Sequence, residues 1–213
     1  MIVVDTEFTS LDFNRGGLWQ IGAIDISNPG NTFLEEARLE DGDFVEQSAL
    51  DVVGKTEEEL RDSKRQSQKE MLEHFFQWAG SVKIKNIIAQ GPWDFAYLLG
   101  KANKYGLKFP LHHRSFDLHS IAQARYIELK GEMLIDVDHS DMGLNNVLKF
   151  CGLDDPRRRI GHSGEVIQEG SAHNALEDAK LEAECFSRLI YGRNLLPEFK
   201  KFPVPAYLEN DNL

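Results

Sequence analysis

Short apolar runs in the first half of the chain predict the strands of a sheet. The run from Ile2 to Val4 is rich in β-branched residues, which favours a buried strand that continues to Glu7. Comparable patterns predict a second strand over residues 17–26, a third over residues 31–39 and a short fourth over residues 86–90.

Apolar residues at helical spacing predict the helices. One face of the segment 69–80 carries Met71, Leu72, Phe75, Phe76 and Ala79. A long helix after His173 is predicted by the stripe Leu176, Ala179, Ala183, Phe186 and Ile190. Shorter helices are predicted from Thr56, from Pro92, and over residues 115–126 and 142–153. The order of elements is typical of the α/β class, with a central mixed sheet, its first three strands antiparallel and later strands parallel, and helices on both faces.

The length and composition indicate one globular domain. The 213 residues, 41% of them hydrophobic, are enough for a sizeable core. We expect the domain to span residues 1–194 and residues 195–213, which contain three prolines, to form an extended tail. We find no apolar run of membrane-spanning length and no secretory signal pattern. Cys151 and Cys185 lie far apart in no metal-binding spacing, so we expect free thiols and a cytoplasmic protein.

The net charge limits the kind of partner. The chain has 24 basic and 35 acidic residues, which gives a formal net charge of −11. This argues against a long basic surface for duplex nucleic acid. It does not exclude a nucleic-acid enzyme whose bound cations supply the positive charge at the site.

Two acidic residues on the first strand need an explanation. Asp5 and Glu7 are two positions apart, so both side chains leave the strand on the same face. Two like charges beside an apolar sheet repel each other and lose hydration. A divalent cation bound between them would remove that repulsion.

Further chemistry is predicted at the start of two helices. Asn174 can cap the last helix, which leaves His173 just outside it and Asp178 in its second turn, a placement that suits metal binding and proton transfer. Gly91 and Pro92 are predicted to be the N-cap and first residue of another helix, with Asp94 in its first turn. Taken singly, these could be a surface loop histidine and a carboxylate that stabilises a helix terminus. Together with the strand carboxylates they form a specific pattern.

Three motifs resemble those of the DEDDh 3′–5′ exonucleases, the proofreading-exonuclease-like branch of the ribonuclease-H-like fold. The matching stretches are VVDTEFTSLD, IIAQGPWDFAYLL and HNALEDAKLEAECF, and the resemblance spans roughly residues 1–190. It implies a central mixed five-stranded sheet. It also implies that two Mg²⁺ ions, replaceable by Mn²⁺, are held by Asp5, Glu7, Asp94 and Asp178, with His173 as general base. The related branch has a Tyr where this chain has Asn174, so the His branch is indicated.

The residues next to the motifs depart from the family pattern. Phe8-Thr9-Ser10-Leu11 stands where Thr-Thr-Gly-Leu is frequent, and Gly91-Pro92-Trp93 stands before Asp94 where an Asn and a small residue are frequent. Candidate contacts with a terminal nucleotide are Phe8, Thr9, Leu11 and Trp93. Ordinary core roles are an equal alternative for Phe8 and Trp93.

Three functions are compatible with these motifs. The resemblance implies a metal-dependent 3′–5′ exonuclease that acts on the 3′ end of single-stranded RNA or DNA, with RNA slightly favoured, and releases nucleoside 5′-monophosphates. The alternatives are a non-catalytic nucleic-acid-binding or adaptor module on the same fold, and a metal-dependent small-molecule phosphatase on an unrelated fold. A homodimer is compatible with the sequence, and no membrane partner is expected.

The remaining polar residues are assigned structural or surface roles. Asp117 is predicted to be a helix N-cap. Arg157, Arg158 and Arg159 are either phosphate contacts or a solvated basic patch. An exposed helix face accounts for the acidic residues 57–59, and structural or surface positions are expected for His112, His113, His119, His139 and His162.

Overall fold

A mixed five-stranded sheet forms the centre of the computed structural model, which describes residues 1–161 and 165–209. Its strands are β1 (Ile2–Phe8), β2 (Leu18–Asp25), β3 (Thr32–Glu36), β4 (Ile87–Ala89) and β5 (Phe116–Asp117). They lie in the order β3-β2-β1-β4-β5. The first three pair antiparallel, whereas β4 and β5 run parallel to β1, so the predicted mixed sheet is confirmed.

Helices cover both faces of this sheet. They are α1 (Gln47–Val53), α2 (Glu57–Leu60), α3 (Gln68–Ser81), α4 (Trp93–Tyr105), α5 (Leu118–Lys130), α6 (Leu144–Phe150) and α7 (Ala175–Tyr191). Two small hairpins lie outside the central sheet: β6 (Ile135–Asp136) with β7 (His139–Ser140), and β8 (Arg159–Ile160) with β9 (Val166–Gln168). Among the described residues, no helix is long and apolar enough to cross a bilayer.

Alternation along β1 divides the core into two layers. Ile2 and Val4 pack in one apolar cluster with α3 and α4, whereas Val3 packs in the other with α5, α6 and α7. Side chains of a strand point alternately to its two faces. Asp5 and Glu7 therefore leave the sheet on the side of Val3, which is the side covered by α7.

Capping residues determine where several helices begin. Thr56 and Glu59 form the predicted capping box of α2, and the side chain of Asn174 accepts hydrogen bonds at the start of α7. Asp117 is the N-cap of α5, as predicted. The helix after β4 begins one residue later than predicted, because Pro92 is its N-cap. Gly91 has a φ of 90° and forms the turn before it.

Some predicted segments differ from the structure. The start of the predicted helix 115–126 pairs with β4 as strand β5, and the helical segment predicted over 142–153 is helical over Leu144–Phe150. Helix α1 and the two small hairpins were not predicted. They lie in polar stretches with weak periodicity, where contacts distant in sequence determine the structure.

The segment after α7 packs against the domain. Leu196 and Leu208 are buried in the cluster with α5, α6 and α7, and Pro197–Phe199 form a 3₁₀ turn. The buried Arg188 donates to Asn194 and to the carbonyl oxygens of Phe199 and Phe202. The division into a domain 1–194 and a tail 195–213 stays a prediction, and residues 210–213, like His162, lie outside the described residues.

Candidate functional site

Charged side chains from four parts of the chain line one cleft of about 200 Å³ beside the sheet. Five are carboxylates and two are basic: Asp5, Glu7, Asp94, Asp178, Glu182, Arg157 and His173. The structure thus brings together all five residues that the sequence analysis assigned to metal binding and proton transfer. It adds Arg157 and Glu182, which were not predicted to bind metal or transfer a proton.

Strand β2 has a glycine where α7 meets the sheet. Gly22 lies opposite Asp5, and a Cβ atom on it would lie 2.1 Å from the carbonyl carbon of Ala175 and the backbone nitrogen of Leu176. The neighbouring Gln20 accepts a hydrogen bond of 2.7 Å from the backbone N–H of Ala175. These contacts place the first turn of α7 directly against the strands that carry the site.

Asp94 is connected to β1 by two hydrogen bonds. Its Oδ1 accepts from the backbone N–H of Thr6 at 2.8 Å and from the Thr6 hydroxyl at 2.7 Å. Burial raises the pKa of Asp94 to about 6, against the opposing effect of the two Thr6 hydrogen bonds. A short strand followed directly by a capped helix therefore brings a carboxylate from the middle of the chain to the first strand.

The carboxylates raise one another's pKa values. Burial raises the pKa of Glu7 to about 7, against the nearby positive charge of His173. Asp5 lines the cleft and is only partly exposed. The protein around it removes most of its hydration, and Asp94, Asp178, Glu7 and Glu182 add repulsion, so its pKa lies well above its usual range. The cluster therefore has more negative charge than its own basic residues compensate.

His173 lies between Asp178 and a backbone carbonyl. Its Nδ1 is 3.2 Å from Oδ2 of Asp178, and its Nε2 is 3.0 Å from the carbonyl oxygen of Arg158. A carbonyl only accepts hydrogen bonds, so Nε2 carries a proton and donates it. Burial lowers the pKa of His173, but the hydrogen bond and charge of Asp178 outweigh this effect and raise it overall.

Arg157 is buried and paired. Its Nε and Nη2 donate to the two carboxylate oxygens of Asp155 at 2.8 Å and 3.0 Å, and its Nη1 lies 3.8 Å from Oδ2 of Asp178. With 9% of its surface exposed, it is not part of a solvated basic patch, and that alternative is wrong for this residue. The side chain of Gln168, at the end of β9, donates to the backbone carbonyls of Asp155 and Arg157, which connects the β8–β9 hairpin to this residue.

The predicted nucleotide contacts have different environments. Phe8 stacks on Tyr97 with ring centroids 4.5 Å apart, whereas Leu11 and Trp93 are 58% and 36% exposed. The prediction for Thr9 is wrong, because this side chain is fully buried. Its hydroxyl donates to the carbonyl of Phe44 and accepts from the N–H of Gly17, so it holds two loops together.

A second groove, of about 330 Å³, adjoins the first. The two share Thr6, Glu7 and Phe8, and the second extends along Leu11 to α1. Its α1 wall consists of Ser48, Ala49, Val52 and Val53. It therefore places an apolar surface directly beside the carboxylate cluster.

The donor set fits a divalent cation. One ligand atom each from Glu7, His173 and Asp178 lies within 4.8 Å of the others. Oε1 of Glu7 and both carboxylate oxygens of Glu182 are buried without a hydrogen-bond partner among the described residues. Hard divalent cations prefer such oxygen ligands, and they would neutralise the excess negative charge.

Helical spacing is the signal by which Glu182 could have been found. It follows Asp178 by four residues on α7, and residues four apart lie on the same face of a helix. Arg157 has a comparable local signal, because Asp155 precedes it by two residues. Neither spacing alone predicts burial in a cleft.

Solved structures that resemble this one include 3′-exonucleases. The nuclease domain of 3′hExo bound to rAMP, described as a DEDDh family member, is 18% identical with a TM-score of 0.61, over 89% of this chain and 90% of that one. A 3′-exonuclease that recognises the 3′ end of histone mRNA stem-loop is 16% identical with a TM-score of 0.63, over 88% of this chain and 62% of that one. The zinc-bound E. coli ExoI–ssDNA complex is 15% identical with a TM-score of 0.64, over 89% of this chain and 39% of that one.

The similarity to these proteins is found in the structure and not in the sequence comparisons. No protein-family model and no curated protein matches the sequence. This chain spans about two fifths of ExoI and less than two thirds of the histone mRNA exonuclease, but most of the 3′hExo nuclease domain. The five-stranded mixed sheet and its helices are shared with these proteins, and the chain therefore has the ribonuclease-H-like α/β fold of the DEDDh 3′-exonucleases.

Proposed function

We propose that this protein is a metal-dependent 3′–5′ exonuclease that removes nucleoside 5′-monophosphates from the 3′ end of single-stranded nucleic acid, with RNA slightly favoured. The observation that supports this most is the convergence of Asp5, Glu7, Asp94, His173 and Asp178 in one cleft. The exonuclease fold adds support from a separate source. The phosphatase alternative assumed an unrelated fold and loses its basis.

Asp5, Glu7, Asp94 and Asp178 would hold two Mg²⁺ ions, for which Mn²⁺ would substitute. When bound, such ions stabilise the attacking and leaving oxygens of an in-line displacement at phosphorus. The protein determines where these ions would bind, because it fixes the positions of the carboxylates. The Thr6 hydrogen bonds fix Asp94, and the close contact of Gly22 with α7 fixes the helix that carries Asp178.

His173 would accept the proton of the attacking water. Its Nε2–H is already donated to the carbonyl of Arg158, so Nδ1 is the atom left to take a proton in the cleft. In the described arrangement Nδ1 faces Asp178. A ligand role for His173 competes with this one, because its ring nitrogen also lies within reach of the Glu7 and Asp178 oxygens.

The terminal nucleotide would bind in the groove beside Glu7. Phe8 and Leu11 form one wall and α1 the other, which suits an unstacked base next to the cleft. Trp93 lines the cleft itself and is partly exposed. Because the chain has a net charge of −11, long-range attraction would contribute little to holding the strand. Short-range contacts at the end of the strand would therefore dominate binding.

The proposal also includes a slight preference for RNA over DNA as the substrate. One similar structure contains rAMP, another concerns a histone mRNA stem-loop, and ExoI was solved with ssDNA. The nuclease domain with rAMP is the one of the three that this chain matches over most of both lengths. A cytoplasmic location and a homodimer also stay predictions.

The experiment is an assay of 5′-end-labelled single-stranded RNA and DNA with Mg²⁺, using wild-type protein and the Asp5→Asn variant. We expect a descending ladder from the 3′ end, stronger on RNA, and no ladder with the variant. The exposed Asp41 provides a control, since Asp41→Asn removes the same charge away from the cleft.

Two results would overturn the proposal. Rapid cutting of a circular single strand would indicate an endonuclease. Binding of the strands without any hydrolysis in Mg²⁺ or Mn²⁺ would favour the non-catalytic module.

A further inference from the structure

Glu182 is a carboxylate on α7 whose two oxygens are buried and unpaired within the described part of the chain. Its side chain is fully buried on α7, one turn after Asp178, and it lines the cleft. The backbone N–H of Gln90 lies nearby, but neither carboxylate oxygen of Glu182 has a hydrogen bond of acceptable geometry among the described residues. Such an arrangement is costly for a charged group unless something else compensates it.

The same helix shows how a structural carboxylate is satisfied. Glu184 is equally buried, yet its Oε1 accepts from Nε of Arg188 at 2.8 Å. Its Oε2 accepts from the backbone N–H groups of Leu195 and Leu196 at 2.8 Å and 2.9 Å. All of the hydrogen-bonding capacity that Glu184 needs is thus provided by the protein, which is not the case for Glu182.

The basic residues of the cleft compensate Glu182 only weakly, because the effect of Arg157 on its pKa is smaller than the effects of the neighbouring carboxylates. Arg157 donates to both carboxylate oxygens of Asp155, and its third guanidinium nitrogen faces Asp178. His173 faces Asp178 on one side and a carbonyl on the other. The charges that act most strongly on Glu182 are instead the carboxylates of Asp94 and Asp178. A cation from solution is the remaining partner of the right sign.

Glu182 and Glu7 differ in one of their charged neighbours. The charges that act on Glu7 are those of His173, Asp178, Asp94 and Arg157, and Glu182 is not among its strongest neighbours. Asp94, Asp178 and Arg157 act on both carboxylates, whereas His173 is among the strongest neighbours of Glu7 alone. Glu182 also acts on Asp5, so a cation near Glu182 would lie among Asp5, Asp94 and Asp178 rather than beside His173.

We propose that Glu182 is a fifth carboxylate of the metal centre, and that it holds a divalent cation, directly or through a bound water, together with Asp5, Asp94 and Asp178. This inference rests on the proposed metal site but goes beyond the four carboxylates that the family resemblance implies. It assigns to Glu182 a ligand role that raises the affinity of one of the two cations.

Calorimetric titration with Mn²⁺ alone tests this role without an activity measurement. We compare the full-length wild type with Glu182→Gln, which keeps the shape and removes the charge. Loss of a residue that supports a metal site typically weakens binding about 10–100-fold, and we expect a loss of that size for one Mn²⁺. Glu177→Gln is the matched control, because it removes an exposed carboxylate from the same helix and should leave the Mn²⁺ affinity unchanged.

A third variant separates this inference from the proposed function. If both Glu182→Gln and Asp178→Asn bind Mn²⁺ as the wild type does, the proposed metal site is contradicted as a whole. If Asp178→Asn abolishes binding while Glu182→Gln binds both ions as the wild type does, only the role of Glu182 is wrong.

Glu182→Leu provides a second test in case Glu182→Gln does not fold, because leucine fills much of the same space with apolar atoms. A folded Leu variant with wild-type affinity would overturn the proposal. If neither variant folds in the presence of Mn²⁺, Glu182 serves the fold rather than the cation, and the proposal is likewise overturned.

Discussion

Nδ1 of His173 lies 3.2 Å from Oδ2 of Asp178, and the Nε2 of the same ring lies 3.0 Å from the carbonyl of Arg158. The ring is thus fixed at both nitrogens, although it stands in the loop before α7. This placement permits three roles for His173: a general base, a metal ligand or a structural link between the loop and the helix. The three roles predict different behaviour of one variant.

For the general base, His173→Ala should lose about 10²–10⁴ in rate. Mn²⁺ affinity should change little, since the carboxylates supply the ligands. The wild-type rate should rise with pH as the ring loses its proton, because only the neutral ring can accept one. That dependence should be absent in the variant. The measurements are the pH–rate profile, the Mn²⁺ affinity and the melting temperature.

Other outcomes would assign His173 differently. Weaker Mn²⁺ binding with partial rescue by excess metal would indicate a ligand. A lower melting temperature with an unchanged pH profile would indicate a structural residue. An acidic limb that persists in the variant would contradict the assignment as base.

The sequence predicts the part of the site that depends on local rules. Alternation along β1 places Asp5 and Glu7 on one face, and a capping residue at position 174 places His173 outside α7 and Asp178 inside it. These relations hold within a few residues of the chain. The sheet and the gathering of the site residues follow from them together with the family resemblance.

The remaining features depend on contacts distant in sequence. Thr9 lies two residues after Glu7, yet its hydroxyl donates to the carbonyl of Phe44, 35 residues away. Glu182 has a charge that typically marks the solvent side of a helix, and only the packing of α7 against the sheet buries it. Periodicity reports which face of a helix is apolar, but not which polar residues on a neighbouring face a cleft will enclose.

Arg157 should position the loop that carries His173. Besides its pairing with Asp155, its carbonyl accepts from the side chain of Gln168, and the next carbonyl, that of Arg158, binds His173. Breaking a buried ion pair by removing one partner typically costs about 3–5 kcal/mol. Arg157→Ala should therefore lower both the melting temperature and kcat.

The alternative role of Arg157 is a phosphate contact, and it predicts a different result. Arg157→Ala would then raise KM for the oligonucleotide while the melting temperature stayed near that of the wild type. Arg157→Lys helps to separate the two, because lysine keeps the charge but cannot form the paired hydrogen bonds to Asp155. A positioning role predicts that Lys does not restore the melting temperature.

The metal-free protein should lose stability as the pH rises. The pKa of Glu7 is raised to about 7 and that of Asp94 to about 6, so the folded state binds more protons than the unfolded state above roughly pH 4. The stability from these protons is fully present below the unfolded pKa and is lost as pH rises through the folded pKa. The raised pKa of His173 acts in the same direction.

Thermal melting in a chelator tests this expectation. The melting temperature should fall between about pH 5 and about pH 8, and Mg²⁺ should restore it mainly at the higher pH. In Glu7→Gln the fall should be smaller, because one of the titrating groups is gone. A wild-type melting temperature that is flat or rises over this range would contradict the expectation.

Gly22 offers a test of how the fold positions the site. A Cβ atom on Gly22 would lie 2.1 Å from backbone atoms of Ala175 and Leu176. Backbone atoms cannot move aside as a flexible side chain can. Gly22→Ala should therefore push the first turn of α7 from the sheet, at a cost of about 1–3 kcal/mol. Asp178 moves with that turn, so Mn²⁺ affinity and hydrolysis should both fall even though no ligand is changed.

Gly80 supplies the matched control for this variant. It lies near the end of α3, and a Cβ atom there would meet no other atom within 4 Å. Because alanine favours a helix over glycine by up to about 1 kcal/mol, Gly80→Ala should keep or raise the melting temperature and leave Mn²⁺ affinity unchanged. Wild-type Mn²⁺ affinity in Gly22→Ala would show that the metal site does not depend on the close contact between β2 and α7.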